Sequence, residues 1–453
     1  MSLHVIILAA GQGSRMKSDL PKVVHKLAGK PMLQHVIDTA SQLDAEKIHI
    51  VVGHGAEIVK QTIHNDSVNW CLQAEQLGTG HAVAQAIDAI PAGAKVLILY
   101  GDVPLTSATT LKDLVGSVET KQLSLLTVEL ENPTGYGRII RNSADEIAAI
   151  VEEKDASDEQ RIVTEVNTGI LAMSADALHT YIPLLKNSNA QGEYYLTDII
   201  EIAVKHGDTV ESHQPEFEQE VQGVNNRLQL CELECWQQSR ISEQLMLSGV
   251  TLYDPNRIDV RGPLQFGRDV VIDINCIFEG EVVLGDNVQI GANCILKNVK
   301  IGAGTSIHAN SMIEDSVIGE QANVGPYARL RPGTKLENNT KIGNFVETKK
   351  TTVGSGSKIN HLSYVGDAAL GKNVNVGAGT ITCNYDGVNK FKTELADGVF
   401  VGSNSSLVAP VKVGVNATIG AGSTVTKTVE SEQLVVARAK QRNIDGWERP
   451  TKQ

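Results

Sequence analysis

Apolar residues follow three successive patterns along the chain. Over residues 3–225 short apolar runs alternate with segments of helical period. Runs at 5–9, 48–52, 95–100 and 123–128 predict strands, and 33–43, 81–90 and 107–120 predict helices between them. Such alternation builds a mostly parallel sheet in an α/β domain, with a Gly-rich loop at the C-terminal end of the first strand, where open sheets bind ligands. From Arg227 to Ser248 there is no Gly or Pro. Asn226 is suited to cap this segment and Gly249 to follow it, so one long helix is predicted, a spacer arm between domains.

Beyond Asp254-Pro255 apolar residues recur every sixth position. Leu284, Ile290 and Leu296 keep this spacing, as do Ile318, Val324, Leu330, Leu336 and Ile342. So do Val353, Ile359 and Val365, and then Val401, Leu407, Val413, Ile419 and Val425. A period of six is the signature of a hexapeptide-repeat parallel β-helix, in which each sixth residue points into a prism-shaped coil. Gly after many of these residues, as at Gly291, Gly343 and Gly414, is expected to ease the corners. Breaks near 297–300, 346–352, 366–369 and 384–396 predict loops on a functional face. The domains are therefore 1–226, a linker helix over 227–249, and a β-helix with a C-terminal tail over 250–453. The tail, with Arg438, Lys440 and Arg442, leaves the repeat and is expected to wrap back or fray.

Composition narrows the partners. Hydrophobic residues make up 42% and aromatics 4%, so the core is aliphatic, as suits stacked β-structure. A formal charge of −13 without a basic run speaks against nucleic acid and anionic membranes. No leader or membrane span is expected. Six cysteines without a CxxC pair predict no disulfide framework and a cytoplasmic setting. Cys231 and Cys235 share a helix face, predicted to be buried.

The first strand runs into Leu8-Ala9-Ala10-Gly11-Gln12-Gly13-Ser14-Arg15-Met16, followed by Pro21-Lys22. Gly11 and Gly13 let backbone N–H groups approach a phosphate, and Arg15 and Lys22 place cations where a triphosphate would lie. This string resembles the signature of the nucleoside-diphosphate-sugar pyrophosphorylases, whose fold is a Rossmann-like α/β domain. Further resemblances follow in order. The segment from Gln73 through Gly78, Thr79 and His81 is similar to the uridine loop, and Tyr100-Gly101-Asp102 to the metal-carrying strand end. Gly137 beside Arg138, Glu152, and Asn167-Thr168-Gly169 are similar to the sugar pocket, and Asn225 to the second metal position. The resemblance implies that a sugar 1-phosphate attacks the α-phosphorus of UTP, with Mg²⁺ held by Asp102 and Asn225 and with Lys22 and Arg15 stabilising the departing pyrophosphate. Plainer roles remain: Asp102 as a turn residue, Glu152 in a solvated charge run, Asn225 at the start of a helix.

The second half resembles the hexapeptide acyltransferases, and the whole chain resembles the bifunctional bacterial N-acetylglucosamine-1-phosphate uridyltransferase/glucosamine-1-phosphate N-acetyltransferase family. The resemblance is carried by Leu330-Arg331-Pro332-Gly333, Glu347-Thr348-Lys349-Lys350, His361-Leu362-Ser363-Tyr364, Asn375-Val376-Gly377-Ala378-Gly379, Cys383-Asn384-Tyr385-Asp386-Gly387, Lys390-Phe391-Lys392-Thr393, Val401-Gly402-Ser403 and Ala437-Arg438. It implies a left-handed β-helix that acetylates glucosamine 1-phosphate from acetyl-CoA, feeding N-acetylglucosamine 1-phosphate to the first domain. A histidine suits the general base, and His361 is the candidate. By the same resemblance Ser403 serves the oxyanion, Arg331 and Lys349 the sugar phosphate, and Tyr364, Asn375, Asn384 and Tyr385 the sugar. The resemblance further implies that Ala378, Ser403, Ala421 and Arg438 line a CoA groove and that the protein assembles as a homotrimer with sites between neighbours. The tail departs from the family pattern, lacking a Pro after the arginine region. The competing reading is a single-activity sugar-1-phosphate nucleotidyltransferase with a structural or regulatory β-helix.

Overall fold

The structure, a computed structural model, describes residues 1–63, 65, 67–118 and 122–452. The end of the helix predicted over 107–120, at Glu119 and Thr120, lies outside them. Two compact units divide the chain after Gln237.

The first unit is built on a seven-strand path. Its order is Thr209–His213, Gln122–Glu129, Glu165–Ser174, Lys95–Tyr100, Leu3–Ala9, Lys47–Val52 and Asn69–Leu72. The strands expected from the apolar runs are all present, as are helices Met32–Ser41, Thr79–Ile87 and Ala108–Gly116. Both sheet faces are covered. Val5, Ile7, Leu97 and Leu99 enter one core, and Ile6, Leu8, Val96 and Ile98 the other. Burial on both sides is why these strands read as continuous apolar runs. The sheet is mixed rather than simply parallel: Glu165–Ser174 runs antiparallel to both neighbours, while the other ladders along the path are parallel. That strand breaks register between Asn167 and Leu171, and a hairpin of Arg138–Arg141 and Ile147–Val151 joins it at Val166.

The long helix spans Arg227–Leu247. Asn226 caps it, its side-chain oxygen accepting from the Gln229 N–H at 2.9 Å. At the other end Gly249 takes φ 98°, the Gly249 N–H donates to Met246 O and the Val250 N–H to Leu245 O. This paired closure satisfies carbonyls that the helix end would otherwise leave open. The helix is not a separate body: Leu233 is buried in the first unit, and Leu245 and Val250 in the core of the second. The expected burial of Cys231 and Cys235 is wrong, since both are exposed. Leu233, two residues from each and so about 200° round the helix, takes the inward side of that turn.

The second unit stacks parallel strands into a coil. One inward ladder runs Ile272, Ile290, Ile307, Val324, Ile342, Ile359, Val376, Val401, Ile419 and Val435 in direct register. The expected breaks have a simple form. Leu296 to Ile301, Thr348 to Val353 and Val365 to Leu370 are steps of five instead of six, all between buried residues. The break at 384–396 is a true insertion between the buried Thr382 and Leu395. The corners follow the expectation only in part. Left-handed backbone is shared between asparagines, as at Asn293 (φ 60°), Asn310 (φ 63°) and Asn404 (φ 55°), and glycines, as at Gly304 (φ 67°), Gly356 (φ 74°) and Gly379 (φ 74°), because both tolerate that region. The Gly after the inward residue serves close approach instead. A Cβ on Gly343 would lie 1.8 Å from the Asn360 carbonyl oxygen of the next coil. The described part of the tail, 437–452, is exposed and has no strand.

Candidate active sites

At the C-terminal ends of Leu3–Ala9 and Lys95–Tyr100 the first unit opens a cavity of about 510 Å³. Leu8, Ala9, Ala10, Gly11, Lys22, Gln73, Gly78, Thr79, Tyr100 and Asp102 line it, all expected from the sequence. Gly13 stands behind the loop: with φ 64° and a Cβ that would meet the Lys22 side chain at 2.6 Å, it lets Lys22 reach the cavity. Gln73 is buried, and its amide donates to Gly78 O and contacts His81 Nδ1, both at 3.1 Å. That pins the loop leading into the Thr79 helix.

Residues two hundred positions apart meet beside this cavity. The Lys22 ammonium pairs with Asp102 and lies 3.2 Å from Asn225 Oδ1. The Arg15 guanidinium donates to the same Asn225 oxygen at 2.9 Å. Val224 N–H donates to Asp102 O, tying the two segments together through the backbone, next to Gly101. One carboxylate and one amide oxygen thus converge on a single cation, Lys22. Such an oxygen pair also fits a hard divalent metal that keeps waters and phosphate oxygens as its remaining ligands.

The residues expected on the sugar side gather around Tyr100. Burial, and then the Glu152 and Asp102 carboxylates, push its phenol well above the usual range. Gly169, at φ 84°, sits where a Cβ would lie 2.6 Å from the Tyr100 ring, so the bulge at 167–171 exists to admit that ring. Asn167 is buried and its Oδ1 accepts from the Gly169 N–H at 3.0 Å. Glu152 is no solvated charge: burial raises its carboxyl, and Thr197 donates to it at 3.0 Å. A Cβ on Gly137 would approach the same carboxylate. Arg138 is a strut instead of a pocket residue, fully buried and paired with Glu153 at 2.6 Å. Glu193, which lines the cavity, and Thr197 were not legible in the sequence, because nothing in their spacing marks them.

On the β-helix, hydrogen bonds trace one corner from coil to coil. Leu362 N–H donates to Asn344 O, Gly379 N–H to His361 O, Asn404 N–H to Ala378 O and Gly422 N–H to Ser403 O. His361, Ala378, Ser403 and Ala421 therefore stand in a column, and the Arg438 guanidinium reaches the Ala421 carbonyl. Two faces meet at this corner. One bears Asn375, in register with Lys358 and Phe400. The other bears Glu347, Tyr364 and Lys349. There Arg331 pairs with Glu347 at 2.7 Å. Lys349 faces Lys390 and Arg331, and the three cations crowd enough to depress the Lys349 ammonium, Lys390 contributing most. Lys390 comes from the inserted loop, closed by a bridge to Tyr385. Asn384 is buried and bonds Asp367, and the Tyr364 hydroxyl leans over Gly366. Two of these partners, Asn344 beside His361 and Asp367 beside Asn384, carried no signal in the sequence.

Comparison with known proteins covers both halves. A MobA-like NTP transferase domain matches residues 5–165, a GMPPB C-terminal domain residues 260–336, and a hexapeptide repeat of succinyl-transferase residues 397–427. Over 99% of its length and 99% of theirs, the chain is 65% identical to the bifunctional protein GlmU of Marinobacter nauticus and 59% identical to that of Cellvibrio japonicus. It is 56% identical to the Pseudomonas putida protein over 100% of its own length and 99% of the relative's. An α/β nucleotidyltransferase unit and a left-handed hexapeptide β-helix, joined through one helix and matched end to end, place this chain in the family of bifunctional GlmU proteins.

Proposed function

We propose that this chain makes UDP-N-acetylglucosamine by two transfers, acetylation at the β-helix and then uridylylation at the α/β unit. In the first, the amine of glucosamine 1-phosphate attacks the acetyl-CoA thioester. A C–N bond forms, the C–S bond breaks, His361 takes the amine proton, and the CoA sulfur leaves to be protonated. The crowded cations Arg331, Lys349 and Lys390 lack enough counter-charge among themselves and suit the sugar phosphate. Tyr364 and Asn375 lie on the two faces that meet at this corner, Asn384 and Tyr385 lie past the far end of the Tyr364 face, and together they hold the sugar. The small side chains of Ala378, Ser403 and Ala421 leave a groove for CoA ending at Arg438, and Ser403 serves the developing oxyanion.

In the second transfer, UTP occupies the 510 Å³ cavity and N-acetylglucosamine 1-phosphate lies toward Tyr100, Gly137, Glu152 and Asn167. A phosphate oxygen of the sugar attacks the α-phosphorus and pyrophosphate departs. Lys22 and Arg15 neutralise charge on the leaving group. Mg²⁺, held by Asp102 and Asn225, supplies further positive charge beside the phosphates when bound.

The observation that carries the two-headed reading is His361 at a corner flanked by a small-residue column and a cationic cluster, an arrangement a scaffold does not need. Two incubations test it: glucosamine 1-phosphate with acetyl-CoA, followed by free thiol, and N-acetylglucosamine 1-phosphate with UTP and Mg²⁺, followed by pyrophosphate. Both products are expected. Pyrophosphate without thiol release would leave a single-activity nucleotidyltransferase.

A homotrimer belongs to the same reading. The corner following the His361 column uses Asn or Gly in left-handed backbone except at Tyr327, Phe345 and Leu362, which adopt φ 56°, 56° and 49°. Their side chains are 52%, 55% and 63% exposed. Bulky residues held there at a cost, and left in water, suit a surface covered by a second copy. No helix of the described residues is long and apolar enough to cross a membrane, and the six free thiols accord with a cytoplasmic setting.

A further inference from the structure

The acetyl-transfer reading needs His361 to present an unprotonated ring nitrogen to the amine, and the neutral ring has two tautomers, one of which cannot do so. His361 Nδ1 lies 2.7 Å from Asn344 Oδ1. An amide oxygen only accepts, so Nδ1 carries the proton and Nε2 is left with its lone pair. The contact is built into the coil. Asn344 and His361 are register partners on adjacent strands, Lys341–Asn344 and Lys358–His361. Gly343, one residue before Asn344, lets the Asn360 carbonyl come closer than any Cβ would permit. The His361 carbonyl is held as well, accepting from Ser363 Oγ at 2.8 Å and from the Gly379 N–H at 3.3 Å. The Leu362 N–H donates to Asn344 O at 3.1 Å, so the backbone fixes the pair on both sides. The Glu347 carboxylate is engaged by Arg331, and that of Asp367 by Asn384.

We propose that Asn344 is the positioning residue of the acetyl-transfer site, fixing His361 in the tautomer whose Nε2 accepts the amine proton. The proposal rests on the acetyl-transfer reading for its consequence but not for its geometry, and the two are separable. Long-range ¹H–¹⁵N spectra of the ¹⁵N-labelled full-length protein, free of substrates, report the His361 tautomer. The parent is expected to show a protonated Nδ1 and bare Nε2, and Asn344→Ala a shift toward the Nε2-protonated form. In acetyl-transfer assays Asn344→Ala should lower kcat on the order of tenfold, with KM for both substrates changed by less than about twofold, as for a lost orienting hydrogen bond. Asn344→Asp keeps an acceptor and adds charge that favours the imidazolium. It should restore the tautomer and move the acid limb of kcat/KM to higher pH. An Nε2-protonated parent, an unchanged tautomer in Asn344→Ala, or an acid limb that stays in place in Asn344→Asp overturns the proposal. If His361→Ala keeps full acetyl transfer, the functional reading fails instead, while the spectra still decide what Asn344 does to the ring.

Discussion

Two side chains can share a proton or a cation only if the backbone has already brought them together, and the first unit does so twice. In one place Lys22 bridges Asp102 and Asn225 beside the cavity. In the other, away from that cavity, His4 and His49 stack with ring centroids 5.4 Å apart, His49 bonding His4 on one side and the Asn69 amide on the other. Burial, then His4 and Lys47, lower the His49 imidazole from 6.5 to about 4. The neutral ring is therefore the folded form. Its contribution to stability is complete above pH 6.5 and is lost as pH falls toward 4, because the unfolded chain takes up a proton that the folded one refuses. The urea midpoint of the first unit should drop between pH 7 and pH 5, and His49→Gln should make that drop smaller; an equal drop in the variant would contradict the assignment. Legibility at this scale was uneven. The cavity residues were readable because Gly, Lys and Asp stand in a dense local string. The His4–His49 pair, Glu193 and Asn344 were not, since each gains meaning only from a neighbour on another strand.

At the scale of elements, ends and corners decide what forms. The cap on the long helix should be worth about 1 kcal/mol, so Asn226→Ala should lower thermal stability without moving either site. Gly343 has a sharper consequence. With its Cβ position filled by the Asn360 carbonyl, Gly343→Ala must spread two coils. Roughly 1–3 kcal/mol of destabilisation is expected, together with loss of acetyl transfer but not of uridylyl transfer. Calorimetry and the two assays check both substitutions. The hexapeptide period was visible in sequence because runs such as Ile318 to Ile342 and Val401 to Val425 keep a buried residue at every sixth position for more than a full coil. Hidden were the five-residue steps, since a shortened corner looks like a lost register, and the antiparallel strand Glu165–Ser174, whose direction depends on pairing and not on its own pattern.

For the molecule as a whole, the left-handed bulky corners offer a direct handle on assembly. Tyr327→Asn with Phe345→Asn restores the residue type used along the rest of that corner. The doubly substituted chain should fold at least as stably as a monomer yet sediment as a smaller species than the parent; an unchanged assembly would move the interface elsewhere. The helix that reads as a spacer in the sequence gives its first turns to one unit and its last to the other, with the division after Gln237. The central claim is that one chain carries two independent transfer sites, and the most direct measurement is both activities in two folded variants. His361→Ala should abolish acetyl transfer and keep uridylyl transfer, and Asp102→Ala should do the reverse. A folded variant that loses both activities, or neither, would contradict it.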